Sequence, residues 1–198
     1  MTPGPPRDKN ITSAMGIREA HRYINDHRKK QSDPFLWPDF MTGLPDRPAV
    51  LKMLDKFYPK LKTFCVAYIC IENIQPYLVK YGSKNHVEII QWAAGILKTT
   101  ADSFGGFVGI LDTHDFIVIL KQKDFEGFMA RASADFEKKA ITFYSDRDLK
   151  NGYVLSFSRD GKDVRMGLMG LKYRTTDGMN IPKERIIPEL ERACTSSR

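Results

Sequence analysis

Two carboxylates, a hydroxyl and an imidazole stand side by side in Asp112-Thr113-His114-Asp115, and Cys70 and Glu72 close an apolar run upstream of them. Carboxylates can hold a divalent cation, and an imidazole can take a proton near neutral pH. Asp115, Glu72 and His114 are therefore the side chains with which this chain could do metal-assisted or acid–base chemistry. Against that stands the habit of a lone turn histidine, which faces solvent far more often than a substrate. The cysteines Cys65, Cys70 and Cys194 include no CxxC pair, and inside an apolar run a thiol behaves as a small hydrophobe. This usage predicts a reducing, cytoplasmic setting and no zinc site.

The elements that must position these groups follow from apolar spacing. Val50, Leu51, Leu54 and Phe57 lie three or four apart and predict a helix over 48–58. Thr63–Ile71 is a continuous apolar and β-branched run, the pattern of a strand buried on both faces. Residues 87–96 read as helix, with Ile90, Ala93, Ala94 and Leu97 inward. After Gly105-Gly106, the runs FVGIL and FIVILK predict a strand pair joined by the polar turn 112–115. Phe128, Met129, Ala132 and Phe136 predict a helix over 125–140. Residues 153–158 and 164–173 read as two strands around Asp160-Gly161, a dipeptide that favours a hairpin turn. A last helix is expected over 182–194, with Pro182 in its first turn. Helices alternating with strands predict an α/β sheet with helices on its faces.

Composition limits the rest. At 198 residues, 42% apolar and 28% charged, the chain suits one domain with a modest appendage. Residues 1–10 are rich in Pro, Gly and charge and predict a disordered start. Residues 11–32 predict a helix whose apolar stripe is thin enough to need a partner surface. Ser32 to Pro38 then ends it, with Phe35, Leu36 and Trp37 expected to pack on the body. The net charge of +7 is spread along the chain, and its densest run, His27 to Lys30, carries no interleaved aromatic residues. That run reads as a solvated helix face rather than a nucleic-acid site, which would bind with steep salt dependence. No stretch approaches the ~20 consecutive apolar residues of a membrane span.

DFMTGLPDR, from Asp39 to Arg47, resembles the DxLTGLPNR opening of the GGDEF family, the diguanylate cyclases that make cyclic di-GMP from two GTP. The order of elements matches that family over residues 33–198. The resemblance implies a central mixed sheet of the nucleotide-cyclase kind, flanked by helices and preceded by a connector helix at 11–32. In the opening itself, Gly43 and Pro45 predict a tight turn, with Asp39 and Arg47 placed to pair across it for about 0 to 1 kcal/mol if exposed.

The family's catalytic positions carry over one by one, and most are changed. Cys70 stands at the metal-binding Asp, Glu72 at a second Asp, Gln75 at a Lys, and Leu78 at the Asn that contacts guanine. Val87 stands at the guanine-reading Asp. The GGDEF signature becomes Asp112-Thr113-His114-Asp115-Phe116, and only Asp115 keeps a carboxylate in a metal position. The glycines that admit phosphates are replaced by side chains at Asp112 and Thr113, one of them negative. Magnesium wants hard oxygen donors, which a thiol is not. The product-inhibition motif RxxD falls at Ser103 to Gly106 without either charge, and the Lys and Arg expected after the final helix are missing because the sequence stops at Arg198.

The resemblance thus implies a catalytically inactive, degenerate GGDEF-like domain in bacterial cyclic di-GMP signalling. It would work through another signalling protein, or through self-association by residues 11–32, with a nucleotide as a further candidate ligand and no cofactor. The alternative is an active nucleotide-processing enzyme of altered chemistry, with Asp115, Glu72 and His114 at work and magnesium required.

Overall fold

The computed structural model describes residues 38–159, 162–176 and 181–195. The expected disordered start, the connector helix at 11–32, residues 35–37 and the Asp160-Gly161 turn lie outside them. The strands are β1 (Phe64–Glu72), β2 (Phe107–Asp112), β3 (Asp115–Lys121), β4 (Tyr153–Arg159), β5 (Lys162–Gly167) and β6 (Gly170–Thr176). The helices are α1 (Arg47–Phe57), α2 (Ile74–Tyr81), α3 (His86–Ser103), α4 (Phe125–Ala140), α5 (Asp146–Asn151) and α6 (Lys183–Thr195).

Strand β1 is central because both of its edges are paired, with β3 on one side and β6 on the other, in a sheet ordered β2-β3-β1-β6. Its side chains alternate between two cores. Cys65, Ala67, Ile69 and Ile71 face α2, α3 and α4, together with Phe116, Val118 and Leu120 of β3. Val66, Tyr68 and Cys70 face α1 and α6, together with Ile117 and Ile119. Helices on both faces explain the unbroken apolar run. The α/β architecture is the expected one, but each pairing in this sheet is antiparallel rather than mixed, because covering both faces demands the same residues whatever the strand direction.

Several local expectations change. The single strand expected over 164–173 breaks at Leu168-Met169: β5 pairs with β4 in a separate two-stranded ribbon, while β6 joins β1. The break is anchored from both sides, since Asn73 Nδ2 donates to Leu168 O at 3.0 Å and Met169 N donates to Tyr144 Oη at 2.7 Å. The turn between β2 and β3 is Thr113-His114 alone, with Asp112 and Asp115 paired as strand ends. Two helices escaped the sequence reading. Helix α2 starts abruptly because Asn73 adopts φ 58°, a left-handed conformation that Asn tolerates better than most residues. Pro76 then sits in its first turn, where a missing N–H leaves no helical bond unmade. Helix α5 is capped by Ser145, whose Oγ accepts from Asp148 N at 3.4 Å.

The opening motif folds differently from its expected ion pair. No salt bridge joins Asp39 to Arg47 among the described residues. Asp39 Oδ1 instead accepts from Thr42 Oγ1 at 2.7 Å, Thr42 N at 2.8 Å and Met41 N at 3.1 Å. Short polar side chains that fold back on nearby amides mimic a backbone turn. Arg47 is exposed at the start of α1, whose N-terminus is capped by Asp46 accepting from Ala49 N at 3.1 Å. Gly43 takes φ 69° in this turn, and Leu44 is fully buried beneath it. Pro45 O accepts from Ile110 N at 2.9 Å, tying the motif to β2. Gly109 permits that approach: a Cβ there would lie 2.4 Å from Val50 Cγ2 and 2.9 Å from Pro45 O.

Candidate functional site

The C-terminal end of β1 delivers side chains into a cleft of about 600 Å³. Strand register sets the first row of its floor, with Cys70 on β1 opposite Asp115 on β3 and opposite Lys172 on β6. Two residues earlier on the same face of β1, the Tyr68 phenol stands beside Asp115. Burial, the Asp115 carboxylate and the Glu191 carboxylate all favour the neutral phenol and push its pKa up. Helix α6 closes one wall with Glu191, Cys194 and Thr195, and the start of α2 supplies Gln75 and Pro76.

The Cys70 and Cys194 sulfurs lie 3.3 Å apart, and the two residues are 8% and 1% exposed. Burial first, then Cys194 and the Asp115 charge, push the Cys70 thiol up to about 12. At neutral pH this sulfur is a protonated thiol rather than a thiolate.

The sequence-derived positions separate into two groups. Cys70, Glu72, Gln75, His114 and Asp115 all line the cleft. His114 is half-buried rather than facing solvent, and its carbonyl accepts from Ile71 N at 3.4 Å. Burial, followed by the nearby His114, lowers the pKa of His86 at the start of α3. Leu78 lies elsewhere, packed against the core beneath α2. Val87 is half exposed in the first turn of α3. Asp112 and Thr113 are exposed and close on each other, with Asp112 Oδ1 accepting from Thr113 N at 2.7 Å and Thr113 Oγ1 at 3.1 Å.

Sequence reasoning missed Tyr68, Lys172, Glu191 and Cys194. Tyr68 was hidden inside an apolar run, although its spacing of two from Cys70 puts both on one strand face. Glu191 and Cys194 are three apart on a helix and so share a face. Nothing local joins that face to β1.

A second polar cluster lies apart from the cleft. Asp148 of α5 is 2% exposed, accepts from Lys80 Nζ at 2.7 Å, and accepts from the Tyr81 hydroxyl. Lys80 also donates to Val154 O at 2.8 Å, which ties α2 to β4. The Lys80 and Tyr81 hydrogen bonds hold the Asp148 carboxyl below its ordinary 3.8. Among the described residues, no group of three or more His, Cys, Asp and Glu is arranged to hold a metal ion. No helix there is long and apolar enough to cross a membrane.

No family model and no curated protein matches the chain. Solved structures do match. The coiled coil and GGDEF domain of DgcB from Caulobacter crescentus, in complex with c-di-GMP, is 13% identical over 94% of this chain and 91% of that one, with a TM-score of 0.56. A diguanylate cyclase/phosphodiesterase from Caldicellulosiruptor saccharolyticus is 14% identical over 80% of this chain and 84% of its own, with a TM-score of 0.55. The diguanylate cyclase SiaD from Pseudomonas aeruginosa, in complex with its activator SiaC, is 10% identical over 93% of this chain and 69% of its own, with a TM-score of 0.52. The chain therefore has the fold of GGDEF domains, at identities that speak for the fold and leave chemistry to the residues of the site.

Proposed function

We propose that this chain is a GGDEF-fold signalling domain that makes no cyclic di-GMP and acts in the bacterial cytoplasm by binding a partner. The observation that supports this reading most strongly is the row across the cleft floor. There a thiol, Cys70, stands between Asp115 and Lys172 and packs on a second thiol, Cys194. Two-metal phosphoryl transfer needs oxygen ligands clamping ions against the attacking and leaving oxygens. Asp115 lies beside the Tyr68 phenol, Glu72 is exposed at the strand end, and Cys70 offers sulfur. This donor set does not fit a pair of magnesium ions. The partner is another signalling protein or a second copy of this chain, with residues 11–32 as the connecting segment; SiaD, of similar fold, has an activator protein as its partner. A nucleotide held without turnover is the natural small ligand for the cleft; DgcB, of similar fold, is in complex with c-di-GMP.

A second reading draws on one specific fact: Glu72, His114 and Asp115 do line a single cleft. It makes the domain a metal-dependent nucleotide-processing enzyme with altered chemistry. Titration calorimetry with GTP, ATP and cyclic di-GMP, with and without magnesium, followed by product analysis, separates the two. The first reading expects no product from any nucleotide. Magnesium-dependent turnover would overturn it in favour of the second, and binding without turnover would make the domain a nucleotide sensor.

A further inference from the structure

A binding role for the cleft leaves its two buried thiols unused. Cys70 lies near the C-terminal end of strand β1 and Cys194 in the last turn of α6, 124 residues apart in sequence. Folding brings their sulfurs to 3.3 Å, with both cysteines free. A pair of thiols in contact needs only a small approach to reach the ~2.05 Å of a disulfide bond. Cys65, the remaining cysteine, is buried near the opposite end of β1 and faces the other core.

We propose that Cys70 and Cys194 form an oxidation site, a dithiol that hydrogen peroxide converts to a disulfide bond and so fixes the end of α6 to the floor of the cleft. A small neutral oxidant is the class that suits the site, because the residues are 8% and 1% exposed and a bulky disulfide reagent would not reach them. Cys70 is the first to react, since it is the more exposed of the two and lies at the end of β1 among the cleft-lining residues. Its thiolate, a small fraction at neutral pH that grows as pH rises, attacks a peroxide oxygen, the O–O bond breaks, and the displaced hydroxide leaves as water with the proton the thiol gave up. The resulting sulfenic acid is then attacked by the Cys194 sulfur, the S–O bond breaks, and a second water leaves with the Cys194 proton. Two thiols and one peroxide give one disulfide and two waters, with two electrons passing from sulfur to oxygen.

The state of this bond changes the cleft wall directly. Glu191 and Thr195 share α6 with Cys194, and Asp115 and Lys172 flank Cys70. Closure therefore sets the distance between Glu191 on the helix and the floor of the site.

The test is peroxide treatment of the full chain, followed by intact mass and by peptide mapping without reduction. The expected result is loss of two hydrogen masses and a cross-linked peptide joining Cys70 to Cys194, reversed by dithiothreitol once the protein is unfolded. Cys65→Ser should still form the link, whereas Cys70→Ser and Cys194→Ser should not. An unchanged mass, stepwise oxygen addition without a cross-link, or a link that includes Cys65 would overturn the proposal. The mapping on the unsubstituted protein decides the matter even if a serine variant fails to fold.

Discussion

Asp148 and Asp115 each stand beside a tyrosine, Tyr81 and Tyr68, yet they serve opposite ends. Asp148 is also met by the Lys80 ammonium, which reaches on to Val154 O, so a carboxylate, an ammonium, a phenol and a carbonyl satisfy one another inside the protein. Asp115 looks onto about 600 Å³ of open cleft. A polar cluster closed on itself ties elements together and offers little to a ligand, while one that opens on a cavity keeps hydrogen-bonding capacity for something not yet bound. Carboxylates alike in chemistry are thus sorted into scaffold and site by what encloses them.

The contrast is tested most severely at Asp148. Asp148→Ala leaves Lys80 and Tyr81 without their shared acceptor and should lower the thermal unfolding midpoint more than any substitution at Asn73 or Asp115; an unchanged midpoint would refute its role as a tie. The acid limb of stability tests the same point. Because the folded carboxyl is held below 3.8, its contribution is present above that pH and is lost as pH falls further. Asp148→Asn should therefore flatten the acid decline in a pH series of urea melts.

Asn73 links the two regions, since it follows the last residue of β1 beside the cleft and stands just before the helix that carries Lys80 and Tyr81. Asn73→Ala removes the bond to Leu168 O and leaves in the left-handed region an alanine, which tolerates it less well than asparagine. It should cost about 1–3 kcal/mol in chemical denaturation. Asn73→Gly should recover part of that loss, and equal losses for both variants would show that backbone strain is not involved.

The smallest effect is expected at Asp115. Asp115→Asn keeps the shape of a side chain that faces the open cleft and should shift stability by no more than about 0.5 kcal/mol. A loss as large as that of Asp148→Ala would erase the distinction between scaffold and site.

Much of the scaffold was legible in residue spacing. The helices at Arg47–Phe57 and Phe125–Ala140 and the hairpin strands follow apolar periodicity closely. The exceptions are instructive. Helix α2 depends on one left-handed Asn, and the split at Leu168-Met169 depends on hydrogen bonds from Asn73 and Tyr144, residues distant in sequence. The candidate site was half legible. Cys70, Glu72, Gln75, His114 and Asp115 do share a cleft, while Leu78 went to the core and Val87, Asp112 and Thr113 to the surface.

By itself the sequence determined most of the helices and strands and that β1 is covered on both sides, because these depend on apolar spacing that neighbouring residues carry. It also determined the DFMTGLPDR turn, although its assumed Asp39–Arg47 pair gave way to side-chain bonds within the turn. Only the tertiary structure decided that Tyr68 meets Asp115, that Lys80 and Tyr81 meet Asp148, and that Cys70 meets Cys194. Each of those contacts joins residues separated by tens of positions or more, and chain proximity carries no record of which distant side chains a closed sheet will bring to the same row.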